Sequence, residues 1–188
     1  MSRTTKETEI ELTLNLDGSG ESDIDTGVGF YDHMLTALSK HARWDLTLRC
    51  KGDLHVDDHH TVEDCALALG SAFRSALGPV AGIARFGHAY CPLDESLSRA
   101  VVDISGRAHA VVDIVFSRDS IGAMSTEMIP HVFESFAANA GITLHVTNLY
   151  GSNDHHKAES AFKAAAVALR HAITRDDSAG VPSTKGVL

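Results

Sequence analysis

The chain has 188 residues, a formal net charge of -9 and 44% hydrophobic residues, which suffices for one domain with a substantial core. The acidic balance, without a run of Lys or Arg, argues against nucleic-acid binding, because phosphate neutralisation dominates that affinity. Three cysteines without a C-x-x-C pair argue against a disulfide framework and a thiolate zinc site, and they favour a reducing, cytoplasmic setting.

The first half of the chain predicts strands and two helices. Alternating apolar residues predict a strand over residues 10–16 and another over residues 46–50. A helix is expected to begin near Phe30 with His33 close to its start, and helical spacing predicts a second helix over about 61–77. No apolar run approaches the roughly 20 residues that a membrane helix needs.

The second half predicts the same order after a boundary near residues 85–90. Alternation predicts strands at 101–104, 110–116 and 142–146. Pro130 suits the first turn of a helix that carries His131, and the last helix is predicted over about 157–174. We expect antiparallel sheets with helices on one face, and a helical layer between two such sheets.

The motif H-H-x-x-E occurs twice, 96 positions apart, and each copy is preceded by a histidine near a helix start. Such self-similarity predicts an internal duplication, with half-repeats of about 1–86 and 87–188 in a single domain spanning 1–188. The repeated positions are His33, His59, His60 and Glu63 in the first half and His131, His155, His156 and Glu159 in the second.

These repeated residues are of metal-ligating types. Adjacent helical residues point about 100° apart while residues three apart share a face, so His60 is expected to bind an ion with Glu63, and His59 to point elsewhere. Six histidines and two glutamates then form two sets of four, suited to manganese, iron, cobalt or zinc. Three neighbouring carboxylates are expected to orient the ligands: Asp32, Asp58 and Asp154.

Four segments resemble the imidazoleglycerol-phosphate dehydratase family: GFYDHML (29–35), DHHTVED (58–64), NDHHKAE (153–159) and PSTKGVL (182–188). The resemblance spans nearly the whole chain. It implies an α+β fold made by duplication of two half-domains, with a four-helix layer between two four-stranded sheets (ribosomal S5 domain 2-like). It also implies a 24-subunit homo-oligomer with two Mn²⁺ per active site, bound between subunits.

The resemblance implies a specific division of the metal ligands. One manganese would be bound by His33, His60, Glu63 and His155, and the other by His59, His131, His156 and Glu159. The implied reaction is dehydration of imidazole glycerol phosphate to imidazole acetol phosphate in histidine biosynthesis. An imidazolate between two cations would expel the hydroxyl to give a diazafulvene-like intermediate, and a base would then remove the neighbouring proton.

Further site residues are implied by the same resemblance. Glu7 would act in acid–base catalysis, with Glu63 and Glu159 as the other catalytic carboxylates, and His41 would lie near the substrate together with the metal ligands. Cations and backbone donors suit a phosphate group. The residues implied to bind the phosphate end of the substrate are Arg85, Arg107, Lys163, Ser183, Thr184 and Lys185.

Two other functions are compatible with these motifs. A dinuclear metallohydrolase acting on a phosphorylated small molecule or an amide would also use two metals, and it would need a metal-bound hydroxide. A metal-storage or metal-sensing protein would need no phosphate cluster and would tolerate Lys185→Ala. Formation of the dehydrated product from imidazole glycerol phosphate distinguishes the dehydratase from both alternatives.

Overall fold

The computed structural model describes residues 1–176, 180, 181 and 183. The first half folds into one sheet with two helices packed on it. Its strands follow the order β1-β2-β4-β3 across the sheet. The elements are β1 (Ser2–Thr4), β2 (Thr8–Asn15), β3 (Ser22–Asp25), α1 (Gly29–Ala42), β4 (Asp45–Gly52) and α2 (His59–Leu77).

The second half repeats this arrangement and adds a two-stranded ribbon before its first helix. The sheet order is β5-β6-β10-β7, so the predicted duplication with two four-stranded sheets is confirmed for the described residues. The exact extent of the half-repeats stays a prediction. The elements are β5 (Phe86–Leu93), β6 (Ser96–Asp103), β7 (His109–Asp113), β8 (Ser120–Ile121), β9 (Met124–Ser125), α3 (Met128–Ala140), β10 (Thr143–Tyr150) and α4 (Asp154–Ala172).

Each sheet contains one parallel strand pair, so the prediction of purely antiparallel sheets was wrong. β3 pairs with β4 in parallel, and β7 pairs with β10 in parallel. In both halves a helix connects the two parallel strands, and this crossover returns the chain to the same direction. The predicted strands at 101–104 and 110–116 are β6 and β7, and β10 lies between them.

The helices pack as two parallel pairs, α1 with α4 and α2 with α3. Arg170 Nη1 near the end of α4 donates to the carbonyl of His41 near the end of α1, at 3.1 Å. Its counterpart Arg74 lies against Gly141, directly after α3. Each pair is therefore parallel, and the N-termini of its two helices lie on the same side of the helical layer.

The helices bury their apolar faces against the inner faces of the sheets. In the first half Ile10 and Leu12 alternate with exposed Glu9 and Glu11. Aromatic side chains connect the elements, as in the contact of Phe133 with Phe162, whose ring centroids are 4.7 Å apart. Each buried side chain of this kind contributes about 1.5–3 kcal/mol. Among the described residues, no helix is long and apolar enough to cross a membrane.

Candidate metal centre

The first cluster of candidate metal ligands lies where α1 and α4 begin. Glu159 Oε2 is 3.1 Å from Nε2 of His155, one turn earlier on α4, and 3.2 Å from Nε2 of His33 on α1. The three ligand atoms lie within 4.8 Å of one another. The parallel packing of the two helices therefore brings together residues 126 positions apart in the chain.

The second cluster has the same composition and lies where α2 and α3 begin. Glu63 Oε2 is 3.6 Å from His59 Nε2, and Glu63 Oε1 is 3.3 Å from His131 Nε2. The ligand atoms of these three residues also lie within 4.8 Å of one another. The clusters are equivalent under the duplication, since each combines a glutamate, the histidine one turn before it and a histidine from the paired helix.

The expected pairing of His60 with Glu63 is not seen within the described chain. Glu63 pairs with His59, and Glu159 pairs with His155 rather than with His156. At about 100° per residue, positions four apart are offset by about 40° and positions three apart by about 60°. The former alignment is the better of the two. In the division implied by the resemblance, Glu63 belongs with His33 and His155. In the structure Glu159 occupies that place, and Glu63 lies with His59 and His131.

His60 and His156 belong to neither cluster. His60 Nδ1 is 3.0 Å from Asp53 Oδ2, and His156 Nδ1 is 2.7 Å from Glu95 Oε2. An ionised carboxylate only accepts hydrogen bonds, so each Nδ1 carries a proton, and the neutral form of either ring has its lone pair on Nε2. This is the tautomer of a metal-ligating histidine whose other nitrogen is held by a carboxylate. The bond from His156, together with backbone hydrogen bonds that include those from residues 152 and 153, lowers the pKa of Glu95 to about 2.

The three-residue clusters fit a divalent transition metal. His131 Nε2 is buried and has no hydrogen bond within the described part of the chain, as expected of an atom that would bind an ion. Burial raises the pKa of Glu159, but hydrogen bonds from Lys163, His33 and His155 outweigh it and bring the pKa down to about 2. Glu159 is therefore an anionic ligand at neutral pH, and two imidazoles with one carboxylate suit manganese, iron, cobalt or zinc.

The carboxylates expected to orient the ligands hold loops instead. Asp32 accepts from the backbone and hydroxyl of Thr26. Asp154 accepts from Ser117 N at 2.8 Å, and Asp58 accepts from Ser125 N at 2.6 Å. The segment 117–125 is thus tied at one end to the start of α4 and at the other to the start of α2.

The carboxylates that lie beside the Nδ1 atoms of the histidines were not predicted from the sequence. Besides Asp53 and Glu95, Glu134 Oε2 lies 3.6 Å from His131 Nδ1 on α3. Glu134 is three residues after His131, and this spacing could have suggested the contact. Asp53 and Glu95 lie in turns after β4 and β5, where no periodicity indicates which way a side chain points.

Two further predicted residues lie near the clusters. Glu7, in the turn between β1 and β2, has Oε1 3.7 Å from His60 Nε2, and 51% of its side chain is exposed. His41 lies near the end of α1, about 12 Å along the helix from His33. Burial lowers the pKa of His41, and the positive charges of Lys163 and Arg170 lower it further.

Among the described residues, two of the predicted phosphate-binding side chains, Lys163 and Arg85, lie at different positions along α4. Lys163 Nζ is 2.7 Å from Glu159 Oε1, beside the first cluster. Arg85 is bound to Asp103 at 2.7 Å, and its backbone N donates to the carbonyl of Ala172 at the far end of α4. A rise of about 1.5 Å per residue puts Glu159 and Ala172 about 20 Å apart.

The other phosphate candidates are placed as follows. Arg107 is exposed and has Nη2 3.9 Å from Asp103 Oδ2, so it shares that carboxylate with Arg85. Ser183 N donates to the carbonyl of Val181 at 2.7 Å. Thr184 and Lys185 lie outside the described residues.

Comparison with known proteins gives a consistent result. The family model Imidazoleglycerol-phosphate dehydratase matches residues 26–169. Relatives named imidazoleglycerol-phosphate dehydratase include those of Phytophthora nicotianae (63% identical, covering 100% of this chain), Candida glabrata (58%, 99%) and Schizosaccharomyces pombe (62%, 93%). The chain spans 42% of the first relative's length, 97% of the second's and 81% of the third's.

Solved structures agree in fold. Imidazoleglycerol-phosphate dehydratase from Staphylococcus aureus subsp. aureus N315 is 34% identical with a TM-score of 0.82, covering 93% of this chain and 98% of that one. IGPD from Pyrococcus furiosus in complex with (S)-C348 is 36% identical with a TM-score of 0.87, covering 100% of both chains. The chain therefore belongs to the imidazoleglycerol-phosphate dehydratase family, a family of enzymes that act as dehydratases in histidine biosynthesis.

Proposed function

We propose that this chain removes water from imidazole glycerol phosphate to give imidazole acetol phosphate, acting in the cytoplasm. The observation that carries the proposal is the pair of equivalent clusters, each with two imidazoles and one carboxylate. Two such sites match a substrate ring with two nitrogens, since each nitrogen can face one cation.

Each cluster is proposed to hold one divalent ion, with manganese as the expected metal. His33, His155 and Glu159 would hold one ion, and His59, Glu63 and His131 would hold the other. When bound, the two ions supply the positive charge that favours the anionic form of the imidazole ring.

His60 and His156 are proposed to complete the clusters of neighbouring chains. Their Nδ1 atoms are held by Asp53 and Glu95, and neither ring joins a cluster of its own chain. Their side chains are 34% and 26% exposed, so a second subunit can approach both rings. This arrangement supports a homo-oligomer with metal sites at subunit interfaces, for which a 24-mer is expected.

The positions of the predicted phosphate-binding residues also support a site shared between subunits. Lys163 lies beside the first cluster, whereas Arg85 lies about 20 Å away along α4. Imidazole glycerol phosphate has only a three-carbon chain between its ring and its phosphate, so it cannot span this distance. We propose that Lys163 and the two arginines serve one substrate only across an interface, with Arg85 and Arg107 reaching the cluster of another chain.

Glu7 is proposed to transfer the proton. Its carboxylate lies 3.7 Å from His60 Nε2, and half of its side chain is exposed, so it can approach a molecule bound at that histidine. After the ring-adjacent hydroxyl leaves, Glu7 removes the proton from the next carbon, and the resulting enol becomes the ketone. A positioned acid–base group contributes about 10²–10⁴-fold to such a step.

The test is a turnover assay with purified chain, MnCl₂ and imidazole glycerol phosphate. We expect the ketone product, loss of activity on chelation and no release of inorganic phosphate. Phosphate release without the ketone would favour the metallohydrolase alternative. A chain that binds two manganese ions but forms no product would refute the dehydratase proposal.

A further inference from the structure

Strands β2 and β6 occupy equivalent places in the two halves. Thr8 and Ser96 are their first residues, and both are buried. Thr8 Oγ1 donates to Asp64 on α2, while Ser96 Oγ lies 3.2 Å from Ser160 Oγ on α4. Asp64 and Ser160 are themselves 96 positions apart, the spacing of the repeated motif. The residues immediately before the two strands are therefore counterparts.

These counterparts are Glu7 and Glu95, and they contact their histidines differently. Glu95 Oε2 accepts from His156 Nδ1 at 2.7 Å, and its Oε1 accepts from the backbone N–H groups of residues 152 and 153. Glu7 Oε1 lies 3.7 Å from the other ring nitrogen, His60 Nε2. Both carboxylate oxygens of Glu95 accept hydrogen bonds, one from the His156 ring and one from the loop at residues 152 and 153. The Glu7 carboxylate does not hold Nδ1 of its histidine.

In the first half, Asp53 makes the contact that Glu95 makes in the second. Its Oδ2 lies 3.0 Å from His60 Nδ1, and its side chain is only 17% exposed. Asp53 directly follows Gly52, which pairs with Thr8. In the second half Tyr150 pairs with Leu97, so Gly151 takes the place of Gly52 and Ser152 takes the place of Asp53. Ser152 has no carboxylate, and it donates from its backbone N–H and its hydroxyl to Glu95 Oε1. Each half therefore supplies one carboxylate to Nδ1, from a different turn.

We propose that the duplicated glutamates have taken different functions: Glu95 positions His156, whereas Asp53 positions His60 and so leaves Glu7 available for proton transfer. This inference rests on the proposed function, which needs both histidines as metal ligands. Asp53 and Glu95 fix the proton on Nδ1 and present the Nε2 lone pair, and loss of such a contact typically weakens metal binding about 10–100-fold.

The experiment titrates MnCl₂ into wild type and variants and measures free Mn²⁺ by electron paramagnetic resonance. Glu95→Gln is the sharpest change, because the amide oxygen can still accept from residues 152 and 153 while the other position loses its acceptor. We expect one of two manganese sites to weaken at least about 10-fold. Glu95→Asp, which keeps the charge but is shorter, should weaken the same site.

Four further variants complete the design. Asp53→Asn should weaken the other site, so the double variant with Glu95→Gln should weaken both. Glu7→Gln should leave both manganese affinities unchanged while turnover falls at least about 100-fold. Asp94→Asn is the matched control for metal binding, because Asp94 lies in the same turn as Glu95, 3.9 Å from His156 Nε2, and does not hold Nδ1.

The outcomes separate this inference from the proposed function. A wild type that binds no manganese refutes the proposed function, and the positioning roles with it. A wild type that binds two ions and forms product, with Glu95→Gln binding both ions equally well, overturns only the positioning role. Equal weakening by Glu7→Gln and Glu95→Gln overturns the division between the two glutamates.

Discussion

Lys163 should control the pH dependence of stability through Glu159. In the metal-free chain the pKa of Glu159 is lowered from 4.5 to about 2, although burial opposes the shift, and Lys163 is the strongest of the groups that lower it. A shift of this size corresponds to about 3.4 kcal/mol. Because Glu159 is partly solvated, water screens this interaction, and the expected stabilisation is about 1.5–2 kcal/mol.

The sign of the effect follows from the direction of the shift. A lowered folded-state pKa stabilises the fold above pH 4.5, and this stabilisation is lost as the pH falls from 4.5 towards 2. Lys163→Met removes the ammonium, so the pKa of Glu159 should rise. The variant should be less stable than wild type at pH 7, by up to about 1.5–2 kcal/mol, and the difference should narrow as the pH falls below 4.5.

The assay is urea unfolding of chelated protein at several pH values between 3 and 7. Lys51→Met is the control, because Lys51 is exposed on the outer face of the first sheet, and its effect should not change with pH. A constant difference between wild type and Lys163→Met across this range would refute the reasoning.

Three other predictions concern packing and assembly. Gly70→Ala should destabilise the chain by about 1–3 kcal/mol in urea unfolding, because the new Cβ would lie 2.5 Å from the carbonyl oxygen of Phe136 on α3; unchanged stability would contradict this close approach. Arg85→Ala and His155→Asn should each be inactive alone but regain part of the activity when co-assembled, since some interface sites then receive an intact residue from each chain; mixtures without activity would count against a shared site. Chelation should reduce the particle size in light scattering, and an unchanged size would show that metals do not drive assembly.

The repeated motif made much of the fold predictable. His59 and His155 mark the starts of two long helices, and their spacing revealed the duplication without structural information. The pairing of Glu63 with His59 could have been predicted from helix geometry, because positions four apart align better than positions three apart. The approach of His131 to Glu63 was less accessible, because it depends on how α3 packs against α2.

Contacts made by turns were not predictable for a related reason. Asp53 and Glu95 act through single side chains in non-repeating segments, and their two positions are not equivalent under the duplication. The separation of Arg85 from Lys163 was also hidden, because it depends on the direction in which α4 runs from the clusters. The parallel strand pairs escaped prediction because alternation indicates a strand but not its direction.

The segment 117–125 joins the two clusters mechanically. It is fastened to Asp154, next to His155, and to Asp58, next to His59. If the start of one helix becomes more rigid, the segment 117–125 becomes more rigid with it, and this segment also contacts the start of the other helix. Occupation of one site should lower the entropic cost of occupying the other, so the two halves of a duplicated chain respond as a linked pair.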